Sequence, residues 1–230
     1  MMSKKEAALE VLGRTVISCR KCPRLVSYVS KVSQDKVRRY KKWSYWGRPL
    51  PGFGDPEARL LIVGLAPAAH GGNRTGRMFT GDSSGDWLIR ALCETGFANQ
   101  PRSVNRENGL KLASTYITAV VRCAPLQNRP LADEIANCSG YLLEELRLLD
   151  RVEVVLTLGK VAFDTCMEYV FPRDSKPRPR FRHGGFYSFE DLPSLVTSYH
   201  PSRQNTQTGR LTWEMWLGVF KRIKHTLGNG

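Results

Sequence analysis

The sequence lacks long apolar stretches, internal repeats and an obvious interdomain linker. No apolar run approaches the roughly 20 residues that a membrane-spanning helix requires. The N-terminal MMSKKEAALEVLGR also has no apolar core of the kind that marks a secretory signal. We therefore expect a protein that stays inside the cell and has no membrane partner. With 230 residues and no dividing linker, we expect one domain spanning residues 1–230.

Acidic residues are also scarce. The chain has 21 Asp and Glu against 35 Lys and Arg, a formal net charge of +14, and such an excess indicates a polyanionic partner. The basic residues are concentrated at residues 36–48, KVRRYKKWSYWGR, and at residues 176–183, KPRPRFRH. Because the first of these segments also holds two tyrosines and two tryptophans, we predict loops that follow phosphates and stack on bases. The alternative is a solvated basic face.

Four short apolar runs predict the strands of a buried sheet. They are continuous and not alternating, which favours parallel strands covered on both faces. They occupy residues 59–67, 114–123, 152–159 and 194–201. Helical patterns lie between and after them, so we predict an α/β fold, a three-layer αβα sandwich around a central, mainly parallel four-stranded sheet. One helix is expected to begin with a capping box in which Ser83 is paired with Asp86.

Three polar segments follow these strands. The longest is the glycine-rich GLAPAAHGGNRTGRMFTGDSSG of residues 64–85, and the others are CAPLQNRP of residues 123–130 and HPSRQNTQTGR of residues 200–210. Ligands of open parallel sheets bind beyond the carboxyl ends of the strands, so the three segments are expected to line one cleft. Glycine and other small residues would let backbone amides approach a ligand closely.

The six cysteines of an intracellular chain are not expected to form disulfides. Cys19 and Cys22 form a CxxC pair, whereas Cys123 and Cys138 stand alone about a hundred residues later. A zinc ribbon usually takes its ligands from two CxxC knuckles, so this spacing favours a [4Fe–4S] cluster that ties the N-terminal segment to the domain. Zinc, and buried thiols without metal, are the alternatives. The other two cysteines lie in helical patterns and are predicted to be buried apolar residues.

Taken together, these motifs resemble the family 5 (B-type) uracil-DNA glycosylases. The resemblance covers nearly the whole chain and lies, in order, in CRKCPRLV, PLPGFGDPEARLL, the glycine-rich segment, CAPLQNRP, FRHG and SYHPSRQNTQTGRLT. It implies the three-layer αβα fold, a [4Fe–4S] cluster on Cys19, Cys22, Cys123 and Cys138, and excision of deaminated bases from double-stranded DNA. A monomer in the cytoplasm, associated with the nucleoid, is the expected state.

An enzyme that excises a base must flip it out of the duplex and enclose it in a pocket. The resemblance implies that the glycine-rich segment and the last motif form this pocket, and that Phe79 stacks on the extruded base. The expected substrate-binding residues are Gly64, Leu65, Ala66, Ala68, Phe79 and Asn205. The alternative for Phe79 is a place in the core.

Three polar residues are expected to carry the chemistry. Neutral His200 would donate a hydrogen bond to the oxyanion that develops on the leaving base, and Asn128 would orient water or pair with a base edge. Many related glycosylases carry a carboxylate or amide where this chain has Leu65 or Ala68, neither of which can polarise water. Asp82 is therefore the expected water-activating or charge-stabilising group. The alternative for Asp82 is a helix cap. For Asn128 it is a turn cap, and for His200 it is a place in the core.

The motifs also predict the outcome of the reaction. They contain no lysine that matches a Schiff-base nucleophile, so we expect a monofunctional enzyme that leaves an abasic site and does not cut the strand. Small pocket residues predict a permissive site that accepts uracil and also hypoxanthine and xanthine. The alternative function is a nucleic-acid-binding iron–sulfur protein without glycosylase activity.

Overall fold

Strands and helices alternate along most of the chain. The structure, a computed structural model, describes residues 3–172 and 178–228. The helices are α1 (Lys4–Ser18), α2 (Pro23–Asp35), α3 (Gly72–Thr75), α4 (Ser83–Glu94), α5 (Ala132–Leu148), α6 (Lys160–Tyr169), α7 (Arg203–Gln207) and α8 (Trp213–Gly228). The strands are β1 (Phe53–Gly54), β2 (Leu60–Gly64), β3 (Thr115–Ala119), β4 (Val154–Leu158), β5 (Gly185–Phe189) and β6 (Leu192–Ser198).

The strands form one mixed sheet in the order β1-β3-β2-β4-β6-β5. Its central strands β3, β2, β4 and β6 are parallel, and they arise from the four apolar runs. The predicted number of strands is wrong, because the described chain adds an antiparallel strand at each edge. The sequence did not indicate them because β1 has only two residues and β5 is mostly half-buried, without a continuous apolar run.

Helices cover both faces of the sheet, which confirms the three-layer αβα sandwich. Along β2, Leu61 and Val63 point to the layer that contains α1, α2, α5 and α6, whereas Leu60 and Ile62 point to α4 and α8. All four side chains are fully buried. Burial on both faces explains why the central strands read as continuous apolar runs.

The N-terminal helices belong to one of these layers. Helix α1 packs against α5, and its first turn is fixed by Lys5, whose Nζ lies 3.0 Å from a Glu57 carboxylate oxygen and 2.5 Å from Asp150 Oδ1. Helix α2 is joined to α5 by a two-pronged pair, in which Arg24 Nε and Nη2 donate to the Glu134 carboxylate at 2.8 and 2.6 Å. Within residues 3–172 and 178–228, no helix is both long and apolar enough to cross a membrane.

The start of α4 differs from the predicted capping box. The N-cap is Asp82 and not Ser83, because an Asp82 carboxylate oxygen accepts the Gly85 N–H at 2.9 Å. Ser83 is therefore the first residue of the helix. Aspartate and serine are about equally good N-caps, so the pattern alone could not place the helix start to the residue.

Candidate active site

A cleft of about 450 Å³ opens beyond the carboxyl ends of the central strands. The polar segments that follow β2, β3 and β6 all reach it, as their positions after parallel strands predict. The lining includes Leu65, Ala66, Pro67, Ala68, Met78, Phe79, Asp82, Asn128, Lys160, His200, Ser202 and Arg203. Gly64 and Asn205 do not line it.

Phe79 lies in the cleft in a strained backbone conformation. Its φ is +48°, a left-handed value that bulky residues rarely adopt. A Cβ at Gly64 would lie 2.8 Å from the Phe79 ring, and one at Gly85 would overlap the Phe79 carbonyl. These two glycines therefore make room for Phe79, whose ring centroid lies 6.2 Å from that of His200.

His200 is neutral near pH 7. Burial lowers the pKa of its imidazole from the ordinary 6.5 to about 4. The His200 carbonyl accepts hydrogen bonds from the Asn205 amide and the Ser202 N–H, both at 2.8 Å, which fixes the loop after β6. Asn205 thus supports His200 from outside the cleft lining, and its substrate-binding role stays a prediction.

Asp82 has a structural contact and also faces the cleft. Burial raises the pKa of its carboxyl, and the N–H groups of Gly85 and Ser84 oppose that shift. One carboxylate oxygen caps α4, while the residue also lines the cleft. A helix cap and a catalytic carboxylate are therefore compatible roles for one side chain.

Asn128 ends a 3-10 turn, Leu126–Asn128, at the mouth of the cleft. Its φ of +57° is one that asparagine tolerates better than most residues, and its N–H donates to the Pro125 carbonyl at 3.2 Å. Within the described part of the chain, its side-chain amide has no hydrogen-bond partner. The amide is exposed and available to a ligand.

Leu65, Ala66 and Ala68 line the wall of the cleft with apolar side chains. Their backbone is partly used within the protein, because the Leu65 carbonyl accepts the Val121 N–H at 3.0 Å. The Ala68 carbonyl accepts the N–H groups of Gly71 and Asn73, each at 3.1 Å. This wall offers shape and space, and no polar side chain.

A buried arginine of the glycine-rich segment fixes the neighbouring loop. Arg77 is only 8% exposed, and its Nη2 donates to Ser103 Oγ at 2.7 Å, to the Asn105 carbonyl at 2.7 Å and to Asn108 Oδ1 at 2.5 Å. Sequence reasoning missed this role, since nothing in the motif distinguishes a buried arginine from one that binds phosphate.

The aromatic residues of the basic segment, residues 36–48, have partners inside the protein. The rings of Tyr40 and Trp43 lie against the Arg74 guanidinium, with centroids at 3.9 and 4.2 Å. The Tyr45 hydroxyl lies 3.1 Å from His70 Nδ1. Trp46 has a partner too: its Nε1 donates to the Pro49 carbonyl at 3.1 Å. The structure gives these rings partners within the protein, and base stacking by them stays a prediction.

The cations of the same segment do face solvent. Arg38, Arg39, Lys41 and Lys42 are exposed, and within the described residues none has a carboxylate within salt-bridge distance. In the second basic cluster, Lys176 and Pro177 fall outside the described residues, and exposed Arg178 and Arg180 share a groove with Lys160.

Two basic residues at the mouth of the cleft were not predicted. Lys160 begins α6, where its Nζ pairs with the Asp164 carboxylate at 2.5 and 2.8 Å. Arg203 is exposed, and no carboxylate in the described chain lies within salt-bridge distance of it. Their position directly after β4 and β6 is the signal that could have found them.

The four cysteines with distinctive spacing come together in the structure. Burial raises the pKa of the Cys123 thiol, and the neighbouring thiols of Cys138, Cys19 and Cys22 raise it further. Cys19 and Cys22 lie between α1 and α2, Cys123 follows β3 and Cys138 lies in α5. All of them are free thiols.

Hydrogen-bond donors reach three of these sulfurs. Asn137 Nδ2 lies 3.6 Å from Cys22 Sγ, the Arg122 N–H donates to the Cys138 thiol, and the Tyr141 side chain is hydrogen-bonded to Cys19. Across residues 3–172 and 178–228, no three His, Cys, Asp or Glu side chains are arranged to hold a metal ion.

Comparison with known proteins identifies the class. The family model for the Uracil DNA glycosylase superfamily matches residues 51–223, a range that includes the cleft and the sheet.

Full-length relatives narrow the class. The type-5 uracil-DNA glycosylase of Pyrobaculum aerophilum is 47% identical over 213 residues, 93% of this chain and 91% of that protein. The type-5 uracil-DNA glycosylase of Thermus thermophilus is 46% identical over 219 residues, 95% of this chain and 98% of that protein. The type-5 uracil-DNA glycosylase of Mycobacterium leprae is 44% identical over 230 residues, 99% of this chain and 100% of that protein. The chain belongs to the uracil-DNA glycosylase superfamily and, within it, to the type-5 uracil-DNA glycosylases.

Proposed function

We propose that this protein is a monofunctional DNA glycosylase that excises uracil, and also hypoxanthine and xanthine, from double-stranded DNA. The observation that carries the proposal is the meeting of His200, Asp82, Asn128 and Phe79 in one cleft at the carboxyl ends of the parallel strands. The product is an abasic site, which base excision repair then processes.

His200 acts on the leaving base. As the N-glycosidic bond breaks, negative charge develops on the base, and a neutral imidazole that faces the cleft can donate a hydrogen bond to it. The pKa of about 4 keeps His200 neutral over the physiological range. Removing a donor of this kind costs about 10²–10³-fold in rate in other enzymes.

Asp82 acts on the sugar and on water. In its ionised form, the carboxylate stabilises the positive charge that develops on the sugar and accepts a proton from the attacking water. Asn128, whose amide is free of protein partners, orients that water or reads an edge of the base. The ring of Phe79 stacks on the base and keeps it beside His200.

Several features support a broad substrate range on duplex DNA. The cleft of about 450 Å³ has small side chains at Ala66 and Ala68, which leave room for a purine as well as a pyrimidine. Arg203 and Lys160 at its mouth and the exposed cations of residues 36–48 would bind phosphates on either side of the flipped nucleotide. We propose that the protein works as a monomer in the cytoplasm.

The cysteine site fits a [4Fe–4S] cluster, with Cys19, Cys22, Cys123 and Cys138 as its ligands. Soft thiolates suit iron–sulfur clusters, and the four cysteines would hold the cluster through their sulfurs. When bound, the cluster supplies a structural cross-link. The chain's own residues then hold the loop between α1 and α2 against α5 and the end of β3, which makes residues 1–230 one domain.

The proposal is tested with a uracil-containing duplex. After incubation with the protein, half of the sample is treated with alkali, and both halves are run on a denaturing gel. Strand cleavage only after alkali, together with free uracil, is the expected result. Cleavage without alkali would contradict the monofunctional reaction, and binding without release of uracil would favour the iron–sulfur DNA-binding alternative. Matched duplexes with hypoxanthine, xanthine or thymine, and the single strand, test the substrate range.

A further inference from the structure

Two short stretches of backbone enclose the Asp82 side chain. One is His70–Gly71, which faces the carboxylate, and the other is Gly81–Asp82, which carries it. A Cβ atom built on Gly71 would overlap Asp82 Oδ2 and would lie 2.9 Å from its Cγ and 3.1 Å from its Cβ. Real Cβ atoms do not approach other atoms so closely, so the carboxylate occupies the space that any other residue at position 71 would fill.

Arg74 joins the same two stretches. Its Nε donates to the His70 carbonyl at 2.8 Å, and its Nη2 donates to the Gly81 carbonyl at 2.9 Å. These carbonyls belong to the residues directly before Gly71 and directly before Asp82. One rigid guanidinium therefore sets the distance between the two sides of the Asp82 site, which a flexible lysine could not do.

The surroundings of Arg74 keep it in place. The side chain is 3% exposed, with the rings of Tyr40 and Trp43 against the guanidinium. Its Nη1 has no hydrogen-bond partner in the described chain. A buried arginine with an unused donor is costly, so the other contacts of Arg74 must offset that cost.

We infer that Gly71 and Arg74 are positioning residues for Asp82: Gly71 leaves the space for the carboxylate, and Arg74 fixes the two backbone stretches that enclose it. This inference rests on the proposed role of Asp82. It adds that part of the rate of base excision depends on Gly71 and Arg74, two residues outside the cleft lining.

The first test is Gly71→Ala, with Gly218→Ala as the matched control. Nothing lies within 4 Å of a Cβ at Gly218, which is an exposed position of α8. We expect Gly71→Ala to lower the single-turnover rate of uracil excision about 10²-fold, as a catalytic group does when displaced, with DNA affinity changed less than about 3-fold. Gly218→Ala should leave both unchanged.

The decisive test repeats Gly71→Ala in an Asp82→Asn background. If Gly71 acts through Asp82, its effect on the rate should shrink to less than about 3-fold there, because interacting residues are not additive. An equal loss of rate in both backgrounds would overturn the inference. An inactive wild-type protein would instead overturn the proposed function, so the two failures are distinct.

Arg74→Lys keeps the inference testable if Gly71→Ala does not fold. It retains the charge and loses the two-pronged bridge, so we expect the excision rate to fall about 10-fold in the wild-type background and to stay unchanged in Asp82→Asn. The control is Arg90→Lys, an arginine that lies 4.1 Å from the Trp213 ring on the outside of α4. Equal effects of Arg74→Lys in both backgrounds would contradict the positioning role.

Discussion

The cleft and the cysteine site are built in opposite ways. About half of the cleft lining comes from one continuous segment, residues 64–85, whose glycines and buried arginines serve the positions of Phe79 and Asp82. The cysteine site joins parts of the chain about a hundred residues apart, and donors reach three of its sulfurs. The cleft leaves polar groups free for a ligand. At the cysteine site, in contrast, the sulfurs are contacted by donors from the protein itself. We therefore expect changes in the cleft to remove chemistry and changes at the cysteines to remove stability.

The largest expected effect is at the cysteine site. Cys123→Ala should abolish iron and sulfide binding and lower the free energy of unfolding by about 3 kcal/mol or more, because a structural metal centre contributes directly to folding. Cys93→Ala, at a half-buried cysteine of α4 outside this site, should change neither. Iron and sulfide analysis and denaturant unfolding provide the measurements. Stoichiometric zinc without iron or sulfide in freshly isolated protein would refute the cluster.

The next effect concerns DNA binding outside the cleft. Replacing Arg38, Arg39, Lys41 and Lys42 together with alanine should weaken duplex binding roughly 10²-fold. It should also reduce the slope of log affinity against log salt by up to about 3.6, or about 0.9 per lost phosphate contact. The single-turnover rate at saturating enzyme should not change. An unaltered salt slope would mean that this stretch is only a solvated surface.

A matched control uses basic residues at the opposite end of the sheet. Arg147 and Arg151 are exposed and lie close to the amino ends of β4 and β6, away from the cleft. Their replacement with alanine should leave the salt slope unchanged. An equal loss of affinity per residue in both sets would indicate a general charge effect and no specific DNA-binding face.

A smaller expected effect distinguishes recognition of the base from cleavage of the N-glycosidic bond. Asn128→Ala should alter the relative excision rates of uracil, hypoxanthine and xanthine by about 10-fold, because contacts to a base edge depend on the base presented. Gln127→Ala, on the same turn and outside the cleft lining, is the control. A uniform loss for all three bases would assign Asn128 to the water instead.

The smallest effect is the dependence of stability on pH. Burial lowers the pKa of His200 from 6.5 to about 4, so between these values the unfolded chain binds a proton that the folded protein does not. Stability must therefore fall as the pH drops through this window. Compared with His200→Gln, the wild-type protein should lose about 1 kcal/mol more between pH 7 and pH 4.5, a value reduced for partial exposure. Parallel stability curves would show that His200 is well hydrated.

The sequence predicts the central architecture well because the signal is local. Four continuous apolar runs become the four parallel strands, and polar segments that follow parallel strands meet at one end of the sheet. The two edge strands were missed because a strand that is short or half-exposed has no continuous apolar run. Seven residues of the cleft lining could be named in advance, and five of them lie close together within residues 65–82.

What the sequence could not predict are the partners of individual side chains. Tyr40 and Trp43 contact an arginine more than thirty residues away, and no pattern within residues 36–48 indicates that contact. Gly64 was expected to admit a nucleotide, yet the space beside it holds the Phe79 ring. The Asn205 amide donates to the His200 carbonyl, a contact that the motif did not indicate, and its substrate-binding role stays a prediction. Such contacts depend on the tertiary structure, which the local pattern does not contain.

The most direct test of the account is the single-turnover release of free uracil from a duplex by the wild-type protein, His200→Ala and Asp82→Asn. Thermal unfolding is recorded for each protein. We predict that both variants release uracil about 10²-fold more slowly or worse, and that His200→Ala unfolds near the wild-type temperature. Asp82→Asn should lose less than about 1 kcal/mol, because asparagine caps helices about as well as aspartate. An Asp82→Asn variant that excises uracil within a few-fold of the wild-type rate but is less stable would contradict the account, because Asp82 would then be a helix cap alone.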